Sequence, residues 1–63
     1  MIRYMVIKFY PDGTQKAEFF DEHDLVKAYL LLLRGLERSY NVFYWSSIGH
    51  CYVLCEEWSC ENS

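Results

Sequence analysis

Residues 21–39 carry the clearest periodic pattern of the chain and predict one amphipathic helix. Apolar residues recur there at the spacing that places them on one side of a helix. The stripe expected to face the core comprises Leu25, Ala28, Tyr29, Leu32 and Leu36. Asp21 is the expected N-cap, because short acidic side chains accept hydrogen bonds from the first helical N–H groups. Arg34 and Arg38 near the other end suit the negative end of the helix dipole.

The predicted helix is more apolar than one small sheet can cover. Val26, Leu30 and Leu33 widen its apolar stripe to about twice the width that a surface helix normally has. This flank is interpreted either as part of a deep core or as a contact surface, so its three residues are the candidates for a homodimer interface. Gly35 weakens the helix and predicts either a close backbone approach or a fraying last turn.

Four stretches around the helix have the alternation and the content of β-branched and aromatic residues that are typical of strands. They are residues 2–10 and 14–20 before the helix, and residues 40–46 and 50–56 after it. Pro11-Asp12-Gly13 predicts a type I turn closed by a left-handed glycine, so the first two strands should form a hairpin. Ser47-Ile48-Gly49 offers the turn for a second hairpin.

This order of elements predicts an α+β fold of the form ββαββ, with a four-stranded, mostly antiparallel sheet and one helix packed on one face. A single domain would span residues 1–56, and residues 57–63 would form a short acidic tail. Alternation in the first hairpin favours one set of side chains as the inward side. This set comprises Met5, Ile7, Phe9, Ala17 and Phe19.

A helix on one face leaves the other face of the sheet open to a partner. The candidate partner-binding residues on that face and its acidic rim are Tyr4, Val6, Tyr52, Leu54, Glu56, Glu57 and Trp58. The third strand allows two phases, with either Phe43 and Trp45 or Val42 and Tyr44 turned toward the helix. Both phases leave aromatic surface uncovered, and a contiguous exposed apolar patch usually marks a contact site.

Composition indicates one small folded domain that needs additional stabilisation. The 63 residues are 52% hydrophobic and 19% aromatic, which is typical of a chain that folds. A domain of this size buries only about 60% of its unfolded surface, so we expect a homodimer. The longest apolar run, residues 28–33, is too short to span a bilayer, and neither a secretory leader nor an even cysteine count is present. The expected compartment is the reducing cytoplasm.

The net charge of −3 disfavours nucleic acid as a partner, because proteins that bind phosphates are usually basic. Lys27, Arg34 and Arg38 form a short basic strip on the helix, which a solvated polar face explains more simply. Together with the sheet aromatics, this strip leaves a nucleic-acid-binding regulator as an alternative function. The acidic residues favour a protein partner with a basic surface.

Four residues supply the ligand types of a zinc site: His50, Cys51, Cys55 and Cys60. Their spacing lacks the close pairs that structural zinc sites favour, so a thiol or zinc module is a second alternative, and we expect neither metal nor cofactor. Because Cys51 and Cys55 alternate with Val53 on a predicted strand, we expect both thiols to be buried. His50 and Cys51 should point to opposite faces, which disfavours a cysteine nucleophile activated by histidine.

The function expected from these observations is that of a small, non-enzymatic protein-binding module. It would inhibit or modulate a larger host protein by occluding part of its surface. In size and composition the chain resembles the inhibitors that phages and mobile elements direct at host machinery, such as anti-CRISPR and anti-restriction proteins. This resemblance implies an anti-defence role that depends on contact and not on chemistry.

Overall fold

The computed structural model describes residues 3–59 as a four-stranded sheet with one helix. The elements are β1 (Tyr4–Phe9), β2 (Gln15–Phe20), α1 (His23–Gly35), β3 (Ser39–Ser46) and β4 (Cys51–Trp58). The strands lie in the order β2-β1-β3-β4, and each neighbouring pair is antiparallel. The predicted ββαββ fold is therefore confirmed. Within residues 3–59, no helix has the length and apolar character that crossing a bilayer requires.

The turn between β1 and β2 has the form that its sequence predicts. Gly13 has a left-handed φ of 92°, and its N–H donates to the Tyr10 carbonyl at 3.0 Å. The Asp12 carboxylate accepts hydrogen bonds from the Thr14 hydroxyl at 2.6 Å and from the Thr14 backbone N–H at 2.9 Å. These two bonds hold the pKa of Asp12 below its ordinary value, and the bond from the hydroxyl has the larger effect. The turn thereby sets the register of the first hairpin.

α1 is shorter at both ends than the sequence predicts. Its N-cap is Glu22 and not Asp21, and no side chain makes a capping hydrogen bond. At the C-terminal end, Glu37 adopts a left-handed φ of 56°, and the Arg38 N–H donates to the Leu33 carbonyl at 2.9 Å. These features define a Schellman-type ending, which turns the chain out of the helix and into β3.

The core between α1 and the sheet is small. Among residues 3–59, the buried hydrophobic side chains are Val6, Val26, Leu33, Tyr40 and Val42. Around them pack the partly buried side chains of Tyr4, Phe20, Tyr29, Leu30 and Trp58. All three central elements, β1, β3 and α1, therefore contribute to this core, but each does so through few residues.

The side of the sheet that faces α1 is opposite to the predicted one. Val6 is fully buried in the core and Tyr4 packs beside it, so neither lies on the open face where the sequence placed them. Met5 and Ile7 alternate with them and point away from the helix. The prediction failed because β1 is apolar on both sides, and a period of two then does not distinguish the inward side from the outward one.

The same reversal occurs in α1. Val26 and Leu33 are buried against the sheet and Leu30 packs on the core, so the predicted dimer-interface candidates stabilise the monomer instead. Of the stripe that was expected to face inward, Tyr29 alone packs on the core; its ring lies 5.1 Å from that of Phe20. A helix that is apolar over most of its circumference does not specify from sequence which flank is buried.

β4 extends beyond the predicted end of the domain at residue 56. Glu57 pairs with Asn41, and Trp58 pairs with Tyr40. The two rings of the latter pair stack with their centroids 5.7 Å apart. Glu57 and Trp58 thus belong to the sheet and not to an acidic tail, and residues 60–63 of that predicted tail lie outside the described residues.

Candidate protein-binding surfaces

The face of the sheet opposite α1, here called the open face, is covered by no other part of residues 3–59. The strand register aligns its side chains in rows across the sheet. Nine apolar or aromatic residues from all four strands form these rows: Met5, Ile7, Phe9, Ala17, Phe19, Phe43, Trp45, Tyr52 and Leu54. Continuous apolar surface on this scale is uncommon on an isolated monomer and marks a contact surface.

Aromatic rings from the two edge strands meet above the open face. The Phe19 ring of β2 lies 6.4 Å from the Tyr52 ring of β4, although β1 and β3 separate these strands. Tyr52 also meets Trp45 edge-on, with the ring centroids 5.2 Å apart. Phe19 is still 51% exposed. The rings therefore form a wide apolar platform that remains accessible to another protein surface.

Charge is nearly absent from the open face within the described part of the chain. By alternation along the strands, Arg3 and Glu57 are its only charged residues. The Arg3 carbonyl accepts a hydrogen bond from the Trp45 N–H at 2.7 Å, which places Arg3 at one end of the face. Glu57 lies opposite Asn41, toward the other end. Depletion of charge at the centre is characteristic of interfaces that are buried in a stable complex.

A second apolar surface lies on the solvent side of α1. We call it the leucine stripe and define it as Leu25, Ala28, Leu32 and Leu36. The three leucines are 50%, 56% and 58% exposed in chain order, and Ala28 is exposed between them. Their spacings of three, four and four residues keep them on one side of the helix. The stripe that was predicted to be the core side of the helix is thus largely exposed to solvent.

Three carboxylates stand at the N-terminal end of the leucine stripe. They are Asp21, Glu22 and Asp24, here called the acidic corner, and all three are exposed. The ion pairs of residues 3–59 involve Glu18 and Glu56 and none of these three carboxylates. The acidic corner therefore presents negative charge that no ion pair of the described residues compensates, next to the exposed side chain of Leu25.

Two predicted partner-binding residues, Glu56 and Trp58, instead take part in contacts within the monomer. Arg34 donates from Nε to the Tyr40 hydroxyl at 2.8 Å and from a terminal nitrogen to the Glu56 carboxylate at 3.1 Å. The same guanidinium lies 5.7 Å from the centre of the Trp58 ring. Glu56 and Trp58 are on the helix side of the sheet, where they connect β4 to α1.

The basic strip that supports the nucleic-acid alternative is mostly engaged in internal contacts. Arg34 contacts the Tyr40 hydroxyl and the Glu56 carboxylate. Both contacts raise the pKa of Arg34 above its ordinary value, and Tyr40 has the larger effect. Arg38 lies 5.0 Å from the centre of the Tyr10 ring. Lys27 is exposed, but a single unengaged lysine is a small electrostatic footprint for nucleic acid.

The thiols on β4 are exposed and not buried as the sequence predicted. β4 is an edge strand, and a β-bulge opposite Val42 and Phe43 interrupts the alternation that the prediction assumed. Cys55 lies in this bulge and donates from Sγ to the Val42 carbonyl at 3.3 Å. Partial burial of the sulfur raises the pKa of Cys55, and the negative charge of Glu56 raises it further by a smaller amount. The thiol is therefore less ionised than an ordinary cysteine.

The residues of the zinc alternative are not assembled into a metal site within the described chain. Nowhere in residues 3–59 do three His, Cys, Asp or Glu side chains come together in a way that could hold an ion. His50 adopts a left-handed φ of 52° in the turn before β4. Cys60, the fourth predicted ligand, lies outside the described residues.

Of the predicted partner-binding residues, Tyr52, Leu54 and Glu57 lie on the open face. Sequence reasoning missed several others on this face, namely Met5, Phe19 and Phe43. The undecided phase of the third strand carried a signal for Phe43, which turns outward when Val42 is placed inward, whereas Met5 and Phe19 follow only from the cross-strand pairing. No protein-family model, curated protein or solved structure matches the chain.

Proposed function

We propose that this chain is a non-enzymatic binding module that inhibits or modulates a larger protein by occluding part of its surface. The observation that carries the proposal is the leucine stripe of α1 with the acidic corner at its end. These two features place apolar anchors along α1 and negative charge at its N-terminal end. No described contact within the monomer uses the three carboxylates in an ion pair.

The leucine stripe has the pattern of a helix that binds in a groove. Such helices present apolar anchors about one turn apart to a hydrophobic cleft of the partner. Leu25, Leu32 and Leu36 are each about half exposed, so a partner can remove substantial apolar area from water. Full burial of a leucine side chain contributes about 1.5–3 kcal/mol, so removing the exposed halves of these three side chains from water contributes roughly 2–5 kcal/mol in all. Contacts around the stripe must supply the remainder of the cost of association.

The acidic corner favours a partner whose groove has a basic rim. Carboxylates at the edge of an interface chiefly speed association and exclude partners of like charge. The net charge of −3 acts in the same direction over a longer range. The nucleic-acid alternative has less support, because Arg34 and Arg38 are engaged within the monomer.

The biological role that these properties suit is that of an anti-defence inhibitor of the phage or mobile-element type, acting on host machinery in the cytoplasm. The small size, the acidity and the abundance of contact surface support this role. A protein that acts by occlusion needs a stable fold and a complementary surface but no catalytic site.

The proposal is tested by immobilising this protein and identifying what it retains from a cell extract. Substitutions of two adjacent leucines serve as matched variants. Leu32→Glu places a charge in the leucine stripe, whereas Leu31→Glu places it about 100° away around the helix; Leu31 is 70% exposed and lies outside the stripe. We expect a specific protein to be retained by the wild type and by Leu31→Glu and to be lost with Leu32→Glu. Equal retention by both variants, or retention of nucleic acid alone, would contradict the proposal.

A further inference from the structure

The open face has the character of a domain core that has been cut in half. Its nine apolar or aromatic residues nearly equal in number the ten buried and partly buried residues of the core beneath α1. Permanent homodimer interfaces have this composition, because the free monomer rarely exists in water. Transient binding surfaces are more polar than permanent interfaces. The leucine stripe, with the acidic corner at its end, has this more polar character. The two apolar surfaces of this chain therefore suit different kinds of partner.

We propose that a second copy of this chain covers the open face, so that two sheets pack face to face in a symmetric dimer. An isologous contact requires a surface that is complementary to itself. The open face meets this requirement because Met5, Ile7 and Phe43 at its centre are apolar, their neighbour Asn41 is uncharged, and no like charges are brought together. Its two charged residues, Arg3 and Glu57, have opposite signs and lie toward opposite ends.

The size of the open face agrees with this occupant. Stable pairs bury about 800 Å² on each partner, which is about one sixth of the 4673 Å² accessible surface of this chain. Four strands about 4.8 Å apart and four rows about 6.7 Å apart span roughly 500 Å² in flat projection. Side chains that project from a pleated sheet expose more area than this projection. The leucine stripe, by comparison, is one residue wide.

The proposed dimer would be a β-sandwich with α1 of each copy on the outside. Face-to-face sheets pack about 10 Å apart with their strands rotated by about 30°. Both leucine stripes would then remain free, so the dimer could bind two copies of a partner or two sites on one. The dimer does not depend on the proposed function of α1, and each can fail without the other.

Two adjacent residues of β4 provide a matched test of this interface. Leu54 lies on the open face and is 42% exposed, whereas Val53 lies on the helix side and is 37% exposed. Leu54→Lys would bring a charge from each copy into the interface, and Val53→Lys would not. Sedimentation equilibrium at micromolar concentration should give twice the 7.6 kDa chain mass for the wild type and Val53→Lys, and one chain mass for Leu54→Lys.

A second measurement keeps the proposal testable if Leu54→Lys does not fold. In Trp58→Phe the remaining tryptophan is Trp45, which lies on the open face. Dilution through the dissociation range should shift its emission to longer wavelength and increase its quenching by acrylamide. A wild-type mass of one chain at all concentrations would overturn the proposal. An intact dimer in folded Leu54→Lys, or Trp45 emission that does not change while the dimer dissociates, would also contradict it.

Discussion

At the C-terminal end of α1, a glycine stands inside the helix and a glutamate stands in the left-handed position that follows it. A Cβ atom added at Gly35 would meet nothing within 4 Å, so the monomer shows no close approach that requires glycine there. Glu37 has φ of 56°, a conformation that favours glycine. The helix ends at Gly35, where the sequence predicted either a close backbone approach or a fraying last turn, but the sequence did not reveal that the left-handed residue is two positions later.

We predict that Gly35→Ala raises the free energy of unfolding by about 0.5–1 kcal/mol, because alanine is a better helix former and restricts the unfolded chain. The measurement is urea unfolding at one fixed protein concentration. Gly13→Ala is the control and should lower stability, since its φ of 92° is strained for alanine. A loss of stability in Gly35→Ala would show that this position has a contact that the monomer does not contain.

We predict that Asp12 contributes to stability in a pH-dependent way. Its folded pKa is held below the ordinary value of 3.8 by hydrogen bonds from the Thr14 hydroxyl and from the Thr14 backbone N–H. Because the folded pKa is lowered, this contribution is present above the unfolded pKa and is lost as the pH falls through the folded pKa. The stability difference between the wild type and Asp12→Ala should therefore shrink below about pH 4.

The Asp12 carboxyl can also be titrated directly by NMR. Its midpoint should lie below 3.8 in the wild type, and Thr14→Val should move it upward, because this variant removes the donor hydroxyl but keeps the backbone N–H. A wild-type midpoint at or above 3.8, or no response to Thr14→Val, would be inconsistent with the turn geometry.

Lys8 shows why charged residues did not indicate the correct side of β1 and β2. It lies on the helix side of the sheet, where its ammonium is 3.9 Å from Glu18 and 5.5 Å from the centre of the Tyr29 ring. The Tyr29 hydroxyl raises the pKa of Lys8, and Tyr10 raises it further. Partial desolvation lowers this pKa but does not cancel the increase. A long lysine side chain can lie along apolar surface and keep its charge near solvent, so a lysine in a strand does not identify the outward side.

At the scale of elements, α1 provides the clearest test of the structure, because two adjacent leucines have opposite environments. Leu33 is 2% exposed, whereas Leu32 is 56% exposed. We predict that Leu33→Ala lowers the free energy of unfolding by about 2–5 kcal/mol through lost burial and a cavity. Leu32→Ala should cost less than about 1 kcal/mol, since most of that side chain is already in water.

Urea unfolding of both variants at matched concentration measures this difference. Tyr29→Phe provides a mild control, because it preserves the ring that packs on Phe20. Comparable destabilisation by Leu32→Ala and Leu33→Ala would mean that α1 is rotated from the position described. The predicted stripe of the helix would then face the core after all.

For the whole molecule, the order and type of all elements followed from periodicity, turn residues and length. The buried sides of the helix and the sheet did not, for one shared physical reason. Both sides of β1 and most of the circumference of α1 are apolar, so either flank of each could form the core. That ambiguity is informative, because a chain with two apolar sides has more contact surface than one monomer can bury.

The register between strands decides which residues share a face, and it depends on tertiary pairing that no local pattern records. Met5 joins Phe19 and Phe43 in one row through cross-strand pairing. The bulge in β4 shifts the alternation there and moves Glu56 to the helix side. Once these pairings are known, the open face and the contact between Arg34 and Glu56 follow directly.

The proposed function requires α1 to bind the partner through the leucine stripe and the acidic corner. Biosensor measurement of both rate constants with the captured partner, at two ionic strengths, tests it most directly. Leu32→Ala should raise the dissociation rate about tenfold or more at either salt concentration, as buried anchors do, and Leu31→Ala should not. Glu22→Lys should slow association mainly at low salt. Dissociation that is unchanged in folded Leu32→Ala, or equally faster in Leu31→Ala, would contradict the claim.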